Sequence, residues 1–202
     1  MRKIIVFIAL ATALVVRVSG QEPVSVTKFG FSIQPPKGWI TAHKDDRNEN
    51  IKRLEMSEDA VKKLLESDKG TTSLMSYFRQ DPKTTAGLIP VVNFDVRRMT
   101  PAPYQQFKAD LTKSTDGLKT YFPDIKFGEP AEVEIGGIRS VLFTSTFTMK
   151  TADGRILRVR NRVYGIPMGN YFFQISLNDG QEKQLDCTHE FDRVIRSIKI
   201  GG

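Results

Sequence analysis

From Val141 to Val163 the chain reads VLFTSTFTMKTADGRILRVRNRV, two alternating runs joined through Ala152-Asp153-Gly154. Alternation of apolar and polar residues marks a strand with two unlike faces. The stretch therefore predicts a β-hairpin, and its loop length decides which side chains share a face. A two-residue loop would set Met149 opposite Arg158 and Phe147 opposite Arg160, mixing phenylalanine with arginine. A three-residue loop of Ala152-Asp153-Gly154 sets Met149 opposite Leu157, Phe147 opposite Val159 and Phe143 opposite Val163. It also puts glycine third, where a type I turn followed by a left-handed residue needs it. The second register keeps the apolar side chains together, and we expect it.

That register leaves Thr148, Thr146 and Thr144 opposite Arg158, Arg160 and Arg162 on the other face. Guanidiniums at two-residue spacing repel one another unless they are solvated or paired. One reading is a sheet face whose arginines pair with Asp or Glu of a covering helix. The other is a strip that binds an anion or a partner, because arginine forks suit carboxylates and phosphates and threonine hydroxyls add hydrogen bonds. On this second reading the candidate partner- or anion-binding residues are Arg158, Arg160, Arg162, Thr144, Thr146 and Thr148.

Outward from the hairpin, strands are expected at about 125–135, 138–149, 155–164 and 171–177, with turns at Gly136-Gly137 and around Pro167-Met168-Gly169. Asp179, with Glu182 three residues on, is expected to cap a last helix carrying Phe191, Val194, Ile195 and Ile198 at i, i+3, i+4, i+7 spacing. Upstream, Thr100-Pro101 predicts the start of a helix whose stripe is Tyr104, Phe107, Leu111 and Leu118, weakened by Gly117 and ended by Pro123. Two strands are expected at 72–79 and 89–98, and an amphipathic helix beginning at Ser57 and ending at Gly70. Phe29, Phe31 and Ile33 predict a half-buried strand, stopped by Pro35-Pro36-Lys37-Gly38 before Trp39. Strands with a few helices that must cover sheet faces make the class α+β.

The N-terminus speaks to compartment. Met1-Arg2-Lys3 is basic, Ile4–Val16 is apolar apart from Thr12, and Val18-Ser19-Gly20 precedes Gln21. This is the pattern of a secretory signal; the competing reading is an uncleaved membrane anchor, against which stand Arg17 and a 13-residue apolar run that is short for a permanent span. The expected organisation is a signal peptide at 1–20 and a single domain at 21–202, exported to the periplasm or the extracellular space, with no stable membrane span after cleavage. Lack of an Asn-x-Ser/Thr acceptor favours a bacterial source. Arg2, Lys3 and Arg17 carry three of the net +7 charges, and residues 139–162 carry a net +5, so the mature chain is only mildly basic. A nucleic-acid binder would spread its basic surface and interleave aromatics; nucleic acid is not an expected partner.

Catalytic chemistry is sparse. One cysteine and two histidines exclude a disulfide framework within the chain and a multi-thiolate zinc site. No Gly-x-Ser-x-Gly elbow, P-loop, dinucleotide fingerprint or His-Glu-x-x-His motif occurs. His43 with Asp45, Asp46 and Glu49 forms at most a weak cation cluster. Cys187 is expected as a small buried residue, an intermolecular disulfide being its alternative. His189 is expected at the surface of the last helix, and Trp39 as a core anchor. We expect no enzyme, no cofactor and no metal.

Phe31-Ser32-Ile33-Gln34-Pro35-Pro36-Lys37-Gly38-Trp39 resembles the opening strand of PsbP-like proteins, where an apolar strand runs into Pro-x-Gly-Trp. The Gly136-Gly137 hairpin, the strand Tyr171-Phe172-Phe173-Gln174-Ile175 and the closing Phe191-Asp192-Arg193-Val194-Ile195-Arg196-Ser197-Ile198 are similar to that family's later elements. The resemblance, which extends to exported proteins of the DcrB type, implies a central antiparallel sheet flanked by helices, an α/β/α sandwich. It also implies a non-catalytic domain that binds a protein partner or assists assembly in the cell envelope. The residue-level alternative is a small-molecule or anion-binding module built on the arginine and threonine face.

Overall fold

The computed structural model describes residues 22–41, 71–85, 87–151 and 154–201. Strands β1 (Val24–Val26), β2 (Phe31–Ile33), β3 (Ile40–Thr41), β4 (Thr71–Phe78) and β5 (Val91–Arg98) precede helix α1 (Tyr104–Thr115). Then come β6 (Lys126–Phe127), β7 (Ala131–Ile135), β8 (Ile138–Lys150), β9 (Ile156–Pro167), β10 (Tyr171–Gly180), helix α2 (Thr188–Ser197) and β11 (Lys199–Ile200). Among the described residues, eight strands form one antiparallel sheet in the order β3-β4-β5-β10-β9-β8-β6, with β7 also paired to β8. A second sheet, β1-β2-β11, ties the two ends of the domain together. The α+β class holds, but sheet dominates and only two α-helices are described.

The hairpin has the three-residue register. Phe143 faces Val163, Phe147 faces Val159 and Met149 faces Leu157, while Thr144, Thr146 and Thr148 face Arg162, Arg160 and Arg158. Gly154 has φ +81, and at Gly136 and Gly137 (φ +56 and +80) a two-residue turn joins β7 to β8 with Ile135 opposite Ile138. Both turns use the left-handed backbone that only glycine adopts cheaply.

Strand parity divides the large sheet into two faces. The first face carries Arg158, Arg160, Arg162, Tyr164 and Ile166 of β9, with Phe173, Ile175, Leu177 and Asp179 of β10. Here lies the main core, in which Phe31 of the small sheet stacks on Phe173 at 4.8 Å and Trp39 meets Phe191 of α2 at 5.9 Å. The second face carries Val159, Asn161, Val163 and Gly165, and a smaller core of Phe107, Val141, Phe143 and Phe172 sits under α1. The arginine strip is therefore the continuation of the main core face, not the reverse of it. Gly165 lets α1 lie close, since a Cβ there would come within 2.6 Å of Leu111 Cδ1.

Several boundaries differ from expectation, each for a local reason. The first helix begins at Tyr104, three residues after Pro101, because Pro103 disfavours helical backbone at Ala102; past Thr115 it tightens into a 3₁₀ turn over Asp116–Thr120, around Gly117. The strand expected at 125–135 is two short strands, separated at Gly128-Glu129-Pro130. Asp179 does not cap a helix. It is a fully buried residue of β10, and α2 starts at Thr188, where Asp186 accepts from the Thr188 backbone N–H. The helix expected from Ser57, the His43 cluster and the signal segment lie outside the described residues. Among the described residues no helix is long and apolar enough to cross a membrane.

Candidate functional site

The arginine strip meets acids. Arg160 donates from Nε and Nη2 to Asp179 at 2.9 and 2.6 Å, and from Nη2 to Asp186 at 2.8 Å. Asp179 also accepts from the Cys187 backbone N–H, at 2.8 Å. These bonds fasten the segment before α2 onto β9 and β10. They also hold the Arg160 guanidinium more firmly protonated than usual, through the Asp179 hydrogen bond first. Asp186 is held down to about 2, chiefly by the Thr188 hydroxyl and backbone N–H and then by Arg160. Arg162 donates from Nη1 to Asp192 of α2 at 3.2 Å and lies over the Phe191 ring at 5.3 Å. Its Nε and Nη2 are buried without a hydrogen-bond partner among the described residues.

The structure thus brings four of the six sequence candidates to one groove, while Thr148 and Arg158 are not among its lining residues. Thr144, Thr146, Arg160 and Arg162 line a groove of about 460 Å³ beside Lys126 and Thr188. Thr148 donates its hydroxyl to Asp124 at 2.6 Å, which lowers that carboxyl below its usual range. Arg158 is exposed, and no ion pair links it to another described residue. The positive charges of Arg160 and Arg162 are met within the fold by Asp179, Asp186 and Asp192.

Cys187 is fully buried, with the Arg79 guanidinium donating to its Sγ at 3.4 Å, and burial pushes the thiol up to about 11. His189 is exposed on α2. Trp39 is 6% exposed in the main core.

The second face holds a cleft that the sequence reading did not single out. It has a volume of about 450 Å³ and lies between the sheet and the segment running from Leu111 through the 3₁₀ turn to Tyr121. Its floor crosses five strands, from Arg97 of β5 through Gln174 of β10, Asn161 of β9 and Ser145 of β8 to Phe127 of β6. Phe143, Val163 and Phe172 fill the floor between them, and Leu111, Leu118 and Tyr121 form the roof. Floor polarity is internally ordered. Asn161 Nδ2 donates to Asn178 Oδ1 at 2.7 Å, Ser145 Oγ reaches Asn161 Oδ1 at 3.5 Å, and Gln174 Nε2 donates to Ser176 Oγ at 3.3 Å. A largely apolar concavity with a few fixed polar groups is the usual form of a small-molecule site. A signal existed: β10 alternates Phe173, Ile175 and Leu177 with Gln174, Ser176 and Asn178, and the Phe107, Leu111, Leu118 stripe had to lie on one of those parities. Among the described residues no cluster of His, Cys, Asp and Glu is suited to a metal ion.

No protein-family model and no curated protein matches the chain. Solved structures similar to it include the following two. LpqN of Mycobacterium tuberculosis, a protein involved in cell envelope biogenesis, is 12% identical over 90% of both chains, with a TM-score of 0.52. A crystal structure from Bacteroides thetaiotaomicron is 13% identical over 86% of this chain, with a TM-score of 0.47, and the chain spans only 46% of that protein's length. The likeness to LpqN shows a shared fold. The PsbP-like assignment has no family match behind it.

Proposed function

We propose that this chain is an exported, non-catalytic binding domain of the cell envelope, and that the cleft under α1 takes a small amphipathic molecule. The observation that carries the reading is the cleft itself, an apolar concavity of about 450 Å³ with ordered polar side chains on its floor. Volumes of about 300–1,000 Å³ are typical of small-molecule sites. The fold shared with LpqN is in keeping with an envelope setting. The basic, apolar N-terminus supports export.

The test is a melting assay of the purified chain against single-chain amphiphiles. A ligand present at a hundred times its Kd should stabilise the fold by about 2.7 kcal/mol. Leu118→Glu and Phe127→Glu each put a carboxylate into the cleft at a half-buried position. Both should abolish the shift while leaving the ligand-free melting temperature nearly unchanged. A panel with no stabilising member, or a shift that survives both variants, would refute the reading.

A second reading, partner binding during envelope assembly, draws on the far end of the β8–β9 hairpin. Residues 156–158 pair with β8 but lie beyond β10, whose pairing with β9 begins at Val159, and Ile156 is 70% exposed there. An exposed isoleucine on a projecting ribbon is suited to contact with another protein. Cross-linking from position 156 in cells should capture one specific protein, and Ile156→Asp should lose it; an unchanged capture pattern would remove this reading.

A further inference from the structure

We propose that residues 112–121 form a lid over the cleft, hinged at Gly117, whose displacement admits and releases the ligand; this rests on the cleft being a ligand site. Ser114, Thr115, Leu118 and Tyr121 of this stretch line the cleft from above. The chain is packed down on either side of it. Before it, Phe107 meets Phe172 at 5.5 Å and Leu111 lies against Gly165. After it, Phe122 stacks on Phe147 at 4.3 Å, Asp124 accepts from the Thr148 backbone N–H at 3.0 Å, and Ile125 is buried.

Between those anchors the hold is slight. No residue from 112 to 124 is buried, and Leu118 and Tyr121 are only half-buried. Among the described residues, none of the hydrogen bonds of 112–121 reaches the sheet. The Thr115 hydroxyl donates to the Thr112 carbonyl, the Tyr121 N–H to the Leu118 carbonyl, and Lys119 Nζ to Asp116 at 3.1 Å. Toward the sheet the stretch has apolar contact and one cation over a ring, Lys119 Nζ at 5.8 Å from the centre of Phe127. A segment held by local bonds and few buried side chains opens at far lower cost than the sheet beneath it. Midway, the α-helix gives way to a 3₁₀ turn containing Gly117, the residue type whose backbone angles change most cheaply. A ligand on the floor gives Leu118 and Tyr121 an apolar surface to settle on, so binding holds the lid shut.

Hydrogen exchange tests the lid without any ligand. The amides of 112–121 should be about a hundredfold or more less protected than those of Val141–Phe147 in β8. G117A should slow their exchange by about two- to fivefold; its methyl meets nothing within 4 Å, so it acts through the backbone freedom it removes. Equal protection of the two stretches would overturn the lid. Stopped-flow binding of the neutral fluorophore N-phenyl-1-naphthylamine then tests the gate, counting only binding that Phe127→Glu removes. G117A should slow association and dissociation by the same factor. K119A, which frees the turn from Asp116 and Phe127, should speed both by about two- to fivefold, with Kd held within about twofold in either variant. Unchanged rates in both variants, with the probe still bound, would overturn the lid and leave the cleft standing as a ligand site. No binding in the cleft by this probe, nor by any amphiphile tried against it, would overturn the ligand-site reading and this inference with it.

Discussion

The two faces of one hairpin differ in what they do with polarity. On the first face Arg160 is anchored by Asp179, which is fully buried, and by Asp186; Arg162 is tied to Asp192. Loud charges there end up as internal fastenings between strand, loop and helix. On the second face the sequence is quiet, and Ser145, Asn161 and Gln174 hydrogen-bond to neighbours on the sheet yet supply polar points on a largely apolar cleft floor. Conspicuous charge is thus a poor guide to a binding surface when oppositely charged residues close over it. Modest polar residues under a helix are the better one.

The largest effect that would sharpen this contrast is on the first face. Arg160→Ala strips the buried Asp179 of its counter-charge and should cost about 3–5 kcal/mol in urea unfolding, as removal of one partner of a buried pair usually does. A loss below 1 kcal/mol would mean that the fastening is not structural, and would return Arg160 to the list of binding candidates. Gly165→Ala comes next. Its methyl would press on Leu111 and Phe107, for a cost of about 1–3 kcal/mol, and should pinch the cleft as well. On the second face, Asn161→Ala breaks a neutral bond on the floor of the cleft and should cost only about 1 kcal/mol.

The acid side of the comparison is open to a pH measurement. Asp186 has its folded-state value depressed to about 2. Its stabilising contribution is therefore present above the ordinary aspartate value of about 4 and disappears as pH falls through about 2. The melting temperature should decline over that window, and Asp186→Asn should remove part of the decline while lowering stability at neutral pH. Equal pH profiles for the two chains would separate Asp186 from the fastening.

Much of this arrangement was legible in the sequence. Hairpin register followed from matching apolar side chains across a loop ending in glycine, and the α2 face followed from the spacing of Phe191, Val194 and Ile198. What could not be read was which acids would meet the arginines. Asp192 sits thirty residues from Arg162, and Asp179 looked like a helix cap because Glu182 follows it at capping-box spacing. Local pattern favoured the cap, whereas tertiary pairing with Arg160, its direct neighbour across β9 and β10, prevailed. The cleft was hidden for a related reason. A polar parity in a central strand reads as a solvated face, and only the position of α1 turns it into a floor.

Arg158 offers the smallest and most pointed effect. It shares the strip's parity with Arg160 and stands two residues away, but it is exposed and no ion pair joins it to another described residue. If burial and pairing make the difference, Arg158→Ala should change stability by less than about 0.5 kcal/mol. The double variant with Arg160→Ala should then be additive within about 0.5 kcal/mol, because no partner is shared. A coupling larger than that, measured by the double-mutant cycle, would show that the three arginines act as one charged strip and that the first face is held as a unit.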